Sequence, residues 1–363
     1  MRKIALIMAL AMMLLAGCDR KETVIEEKHP VQNEVKKVQT TEEDSTEPPE
    51  FTYSTWVAYW DYANAFQEID ACGDKLKDIA AFEALYTGAD YQIWFPEETK
   101  DMIAQLKQTY QGKKRIFLSF VNDFRNEDGS YSQKDVKLLE GLVGTEEARK
   151  KAVAAMVEAA ASYGVDGIEL DYENLKKAEH LKEGYAEFVK LLYNETQARG
   201  LALRVDIEND FIQRVDLPQG PQYVLMCYNL YGYGTGPGPK ADRDFLQLCA
   251  KDYKELDSVT MAFSTGGFDW KDGEVDKALT EEEARLLYQQ KCGESQNMSR
   301  DEDSRCAVFS YEEDGASHEV WFADDVTLNY WKEVVAEYGY YDIAIWRMNG
   351  NSMNTLERVT TEK

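Results

Sequence analysis

The chain has 363 residues, of which 44% are hydrophobic and 12% aromatic, enough to bury one barrel-sized core or two ordinary ones. Its net charge is −26, with a pI near 4.6. That field repels nucleic acid and anionic membrane surfaces, excludes a nucleic-acid partner, and points to neutral or cationic substrates.

The chain opens with Met1-Arg2-Lys3, a short basic start, followed by an apolar run from Ile4 to Leu15. That run is too short to anchor stably across a bilayer. It ends in Leu15-Ala16-Gly17-Cys18, which resembles the lipobox of bacterial lipoproteins. The resemblance implies cleavage after residue 17 and a lipid on Cys18. The mature protein is then exported and held at the cell envelope, on the outer face of the cytoplasmic membrane or the periplasmic side. No transmembrane helix is expected in the mature fold. Residues 18–51 are rich in Glu, Lys, Thr and Pro and nearly free of large apolar residues. They read as a disordered tether with a reach of roughly 30 Å.

Without Cys18, five cysteines remain: Cys72, Cys227, Cys249, Cys292 and Cys306. An odd number leaves at least one thiol free or paired outside the chain. Cys292 and Cys306 stand in a polar stretch and could form a local bridge; Cys227 lies in an apolar run and reads as buried filler. No Cys/His spacing suits a metal, and His29, His180 and His318 are scattered, so no metal or other cofactor is expected.

From residue 52 onward, short β-branched or aromatic runs alternate with helical patterns. Strands are predicted at Thr55–Trp60, which carries Tyr59, then near Phe82–Tyr86 or Asp90–Trp94, and at Arg115–Val121 and Gly167–Glu173. Four more follow at Leu201–Ile207, Tyr223–Asn229, Val259–Ser264 and Asp342–Arg347. The periodicity predicts helices over Glu146–Tyr163, Glu179–Arg199, Asp242–Leu256 and Leu328–Tyr338, with Gly200 as a C-cap signal. Eight β/α units in about 310 residues imply a single α/β domain, a (β/α)8 TIM barrel over 52–363. A longer segment, about 270–325, reads as a small α+β insertion between the seventh strand and the last helix and strand.

The fourth predicted strand reads DGIELDYE. Side chains alternate along a strand, so Ile168, Leu170 and Tyr172 share one face and Glu169, Asp171 and Glu173 the other. In a parallel barrel the apolar set suits the helix side, which turns three carboxylates inward. Like charges this close cannot all ionise, so one pKa must rise. Glu173, nearest the mouth, is the position where a raised carboxyl would suit general-acid work. On the next strand, Arg204, Asp206 and Glu208 should face inward too, and Arg204 is expected to pair with Glu169 or Asp171.

DGIELDYE resembles the DGxDxDxE signature of glycoside hydrolase family 18, the chitinases and related enzymes, with Asp166-Gly167 as its opening. The resemblance implies that Glu173 is the catalytic acid/base and that Asp171 orients the substrate acetamide. Glu169 departs from the Asp, or the Asn of the spore-germination and peptidoglycan-hydrolase branch, at that position. Met226-Cys227-Tyr228-Asn229 resembles the family's MxYD motif, with Met226 and Tyr228 in the barrel, Tyr228 on the acetamide, and Asn229 in place of Asp. Ile345-Trp346-Arg347 resembles the last-strand tryptophan that floors the sugar site. The SxGG motif of typical chitinases is replaced by Leu118-Ser119-Phe120-Val121-Asn122-Asp123. Tyr59 and Asn122 join Trp346, Met226 and Asn229 as candidate substrate-binding residues, with Asp166, Glu169 and Arg204 as supporting residues. The implied activity is retaining, substrate-assisted hydrolysis of β-1,4 bonds beside N-acetylglucosamine by a monomer, with peptidoglycan favoured over chitin-type oligomers or the N-glycan core. The rival is a non-catalytic, lectin-like carbohydrate-binding barrel.

Overall fold

The protein is described from a computed structural model covering residues 49–209, 211, 215–293 and 298–361. The expected leader, the lipidation site Cys18 and all but the last residues of the tether lie outside the described residues.

Eight β-branched and aromatic runs form the barrel strands: Thr52–Ala58, Leu76–Thr87, Arg115–Arg125, Gly167–Asp171, Ala202–Ile207, Gln222–Met226, Val259–Ser264 and Asp342–Trp346. Each pairs in parallel with the next, and the eighth pairs with the first, so the sheet closes on itself. The two candidate positions for the second strand are both strands. Leu76–Thr87 enters the barrel, and Gln92–Trp94 folds back on it as an antiparallel ribbon.

Apolar alternation sorts the side chains into two layers. Ile168, Leu170 and Tyr172 face outward into a core shared with Met156, Val157, Phe188 and Leu192 of the surrounding helices. Each such fully buried side chain contributes about 1.5–3 kcal/mol. A smaller apolar cluster, including Trp56, Phe82, Phe117, Val121 and Val224, fills the inside of the barrel. The helix Glu146–Tyr163 forms as its pattern predicts. Thr145 Oγ1 accepts from Ala148 N at 3.2 Å, and Gly164 ends it at φ 59°, where a Cβ would be strained. Helices Lys182–Ala198, Arg243–Asp252 and Asp325–Ala336 are shorter or shifted relative to their predicted spans, and the first is preceded by two 3₁₀ turns. Helices Glu97–Tyr110, Val136–Val143 and Met353–Thr361 have no counterpart in the sequence reading. Between the fifth and sixth strands, the described residues of 208–221 contain no α-helix.

The insertion begins at Gly266, four residues earlier than expected. Gly266 has φ 64°, and a Cβ there would meet Leu279 O at 2.3 Å, which is why the chain can turn straight from the seventh barrel strand into a new sheet. That antiparallel sheet is built from Gly266–Lys271, Glu274–Leu279, Ser299–Arg300, Ala307–Glu313 and Ala316–Ala323, with helix Glu281–Lys291 packed on it. It also gathers groups the sequence left scattered. His318 Nδ1 lies 2.9 Å from Asp269 Oδ1, Tyr311 Oη donates to Asp269 Oδ2 at 2.6 Å, and Asp276 lies within 4.8 Å.

Cys292 and Cys306 do not form the local bridge that their spacing allowed. All five described cysteines are buried, and no disulfide joins any two of them. Cys292 packs in the insertion core and Cys306 in the main core, so burial separates them. Among the described residues, no helix is long and apolar enough to cross a membrane.

Candidate active site

A cavity of about 470 Å³ opens at the C-terminal ends of the barrel strands. This is the face on which parallel barrels present functional groups. Its lining brings together all eight residues named as catalytic or substrate-binding: Tyr59, Asn122, Asp171, Glu173, Met226, Tyr228, Asn229 and Trp346.

The supporting residues separate. Glu169 and Arg204 lie beneath the cavity, fully buried. Asp166 is far from it, at the lower end of its strand, where its Oδ2 accepts from Ile116 N at 2.8 Å and ties the third strand to the fourth.

Strand register explains the buried pair. Glu169 stands opposite Ser119 on one neighbouring strand and Arg204 on the other, so three inward side chains share one layer. Ser119 Oγ donates to Glu169 Oε1 at 2.8 Å. Arg204 Nε approaches Glu169 Oε2 to 3.0 Å without pointing at it, so the contact is an ion pair rather than an aligned hydrogen bond. Arg204 also lies 3.8 Å from Asp78 Oδ2, and its guanidinium sits over the Trp56 and Phe117 rings at 5.6 and 5.4 Å. Burial raises the Glu169 carboxyl above its ordinary range, and Arg204 opposes that rise.

Above this layer, the Asp171 and Asp206 carboxyls are both raised well above their ordinary range. Burial pushes Asp171 well up, and the neighbouring Glu173 charge pushes it further. Burial likewise lifts Asp206, with Glu169 and Asp171 adding to it. Asp171 Oδ1 and Asp206 Oδ1 are buried without a hydrogen-bond partner. For Asp171, which lines the cavity, that leaves one oxygen for a ligand N–H.

The regular strand stops at Asp171, so Glu173 sits two residues beyond it. Its position is fixed by Asn122 on the neighbouring strand. Glu173 N donates to Asn122 Oδ1 at 2.9 Å, and Asn122 Nδ2 donates to Glu173 O at 3.0 Å. Glu173 Oε1 forms an ion pair with Lys134 Nζ. The acid with the raised pKa next to it is therefore Asp171, one pleat deeper, and the outer member of the row has a cationic neighbour that the strand pattern did not reveal. Lys134 lies in the loop after the third strand, with φ 51°, and its N–H donates to Asp123 Oδ1 at 2.7 Å. Glu83, on the same cavity wall, is pushed up to about 8 by burial, with Asp123 adding to the rise and Lys134 opposing it. Burial also raises the Tyr228 hydroxyl well above its usual range, with Glu173 and Asp171 next in effect, so it stays a neutral donor. Trp346 closes the floor, edge-on to Trp56 at 5.6 Å and to Phe82 at 5.1 Å. Sequence reasoning missed Lys134, Glu83 and Asp123. The first sits in a polar loop without periodicity; Glu83 and Asp123 stand in or beside apolar strand runs, a signal that could have found them, but nothing in the sequence shows that those strands bring them to one cavity.

A closed parallel barrel with an antiparallel insertion after the seventh strand and this acidic cavity has the chitinase-like fold of glycoside hydrolase family 18. The solved structures it resembles include the spore cortex-lytic enzyme SleL of Bacillus cereus. The TM-score is 0.71 at 18% identity, over 86% of this chain and 74% of that one. A chitinase from Chromobacterium violaceum ATCC 12472 gives a TM-score of 0.70 at 17% identity, over 86% of this chain and 100% of that one. In sequence, the chain is 22% identical over 222 residues to YdhD of Bacillus subtilis (strain 168), a protein named as a sporulation-specific glycosylase. That match takes in 55% of this chain, and the chain spans about half, 51%, of the length of this curated relative. No protein-family model matches the chain.

Proposed function

We propose that this protein is a retaining glycosidase that cleaves β-1,4 bonds next to N-acetylglucosamine, with peptidoglycan as the favoured substrate. The observation that carries the reading is the convergence of Glu173, Asp171, Tyr228 and Trp346 on one cavity. An indole floor suits the apolar face of a pyranose. Above it stand a carboxyl acid, an oxygen acceptor and a phenol donor, the three groups that substrate assistance requires.

In the proposed reaction Glu173 gives its proton to the glycosidic oxygen as the bond to the anomeric carbon breaks. The substrate's 2-acetamido oxygen attacks that carbon and forms an oxazolinium. Asp171 accepts the acetamide N–H, and the Tyr228 hydroxyl donates to its oxygen. Glu173 then takes a proton from water, which opens the ring with retention. Lys134 must yield its place on Glu173 before that carboxyl can carry a proton. The likeness to spore cortex-lytic and sporulation-associated proteins favours peptidoglycan over chitin. A lipid on Cys18 and the tether would hold the barrel at the envelope beside that polymer.

The test is release of reducing ends from peptidoglycan and from chitooligosaccharides by the protein beside Glu173→Gln. Release by the parent protein, with a loss of about 100-fold or more in the variant, is expected. Equal release by both, or by neither, would overturn the hydrolase reading, and glycan binding without cleavage would favour the lectin-like alternative.

A further inference from the structure

A second cavity, of about 600 Å³, lies beside the first and shares Trp346 as a wall. The insertion forms its far side through Leu279, Thr280 and Leu286. A glycan lying over the indole would pass from one cavity into the other.

Charge distinguishes this cavity. Arg347 and Asp61 line it but satisfy one another at 2.8 Å. Glu283 is taken by Lys277 at 2.9 Å and by the cap of its own helix. The remaining lining charges are Lys240 and Glu282. Lys240 Nζ donates to Ser264 Oγ at 2.8 Å and to Thr265 O at 2.9 Å, both neutral oxygens. Among the described residues, no carboxylate lies within 4.0 Å of it. Burial lowers its pKa to about 8, as expected of an ammonium short of counter-charge. In a chain of net charge −26, a half-buried cation left without an acid among the described residues at a cavity wall is an unusual arrangement.

We infer that this cavity is a subsite for a carboxylate on the sugar next along the glycan, with Lys240 as its counter-charge. The inference rests on the glycosidase reading and narrows its substrate class to acid-bearing amino-sugar polymers. One cation with Glu282 and Glu283 on the rim suits a singly charged carboxylate better than a doubly charged phosphate. The acid is either the lactyl group of a muramyl residue or the end of a short peptide amide-linked to it.

The experiment measures binding to the Glu173→Gln protein, which holds substrate without turning it over. The ligands are a chitooligosaccharide, a GlcNAc–MurNAc oligomer with free lactyl acids, the same oligomer capped by a dipeptide, and the methyl ester of each acid. The protein should prefer an acid-bearing oligomer over its ester, and the preferred acid identifies the source of the carboxylate. Adding Lys240→Met should cut the ratio of acid to ester affinity about 10- to 100-fold, and Lys240→Arg should preserve it. No preference for acid over ester, or a ratio unmoved by Lys240→Met, overturns the assignment while leaving the glycosidase reading standing. The ester comparison needs no substitution at Lys240, so it decides the matter even if Lys240→Met does not fold. Failure of every oligomer to bind overturns both.

Discussion

Replacing Arg204 by Met tests whether the buried ion pair is part of the barrel's stability. Arg204 and Glu169 are both fully buried, 3.0 Å apart. Asp78, the other acid within ion-pair distance of Arg204, keeps two bonds from Arg115 at 2.7 Å when Arg204 is lost. The charge left uncompensated is therefore that of Glu169. Breaking a buried pair from one side costs about 3–5 kcal/mol, which for a domain of this size is a fall in Tm of about 5–8 °C. The pH dependence follows from the same pair. Burial already raises the Glu169 carboxyl and Arg204 holds it down, so removing Arg204 raises it further. A carboxyl raised in the folded state lends stability that is fully present below its unfolded pKa and lost as pH rises through the folded value. The deficit of Arg204→Met should thus be small near pH 4.5 and grow towards pH 8. Adding Glu169→Gln should recover about half of it at pH 7.5. Urea unfolding followed by tryptophan fluorescence at pH 5 and 7.5 measures all four proteins of the cycle. A cost under about 1 kcal/mol at pH 7.5, or strict additivity of the two substitutions, would refute the reasoning.

Asn122→Ala removes both bonds that hold the Glu173 backbone. On the proposed reading, kcat should fall about 10- to 100-fold with KM little changed, as steady-state kinetics on a soluble oligomer would register. Glu83 is raised from 4.5 to about 8, so its stability contribution is present below pH 4.5 and fades as pH rises through about 8. Glu83→Gln should match the parent in acid and exceed it at pH 9, by at most about 5 kcal/mol, in paired denaturant curves. Cys18→Ala should abolish incorporation of labelled fatty acid and release the chain from the membrane fraction, as fractionation of expressing cells would reveal.

Much of the frame was legible locally. Gly167–Asp171 could be read because alternation leaves Ile168 and Leu170 on one face and Glu169 and Asp171 on the other, whatever the rest of the chain does. Glu146–Tyr163 was legible because Val153, Met156, Val157 and Ala160 recur at helical spacing, and all four are buried. Helix Glu281–Lys291 was missed because its apolar face is narrow and its partner is the insertion sheet. The start of the insertion was misjudged because Gly266 turns the chain with no polar loop to mark the change.

The sequence by itself determined the parallel barrel and the inward acidic row, since periodicity of two and spacing within one strand set them. It also placed Arg204 beside the acids, because adjacent parallel strands share layers. Only the tertiary structure decided which carboxyls are perturbed and who meets them. Lys134 reaches Glu173 from a loop 39 positions away, Asn122 clamps the same residue from another strand, and Lys240 ends up beside neutral oxygens rather than an acid. Those outcomes depend on desolvation and distance, which are properties of the packed chain and leave no trace in local spacing.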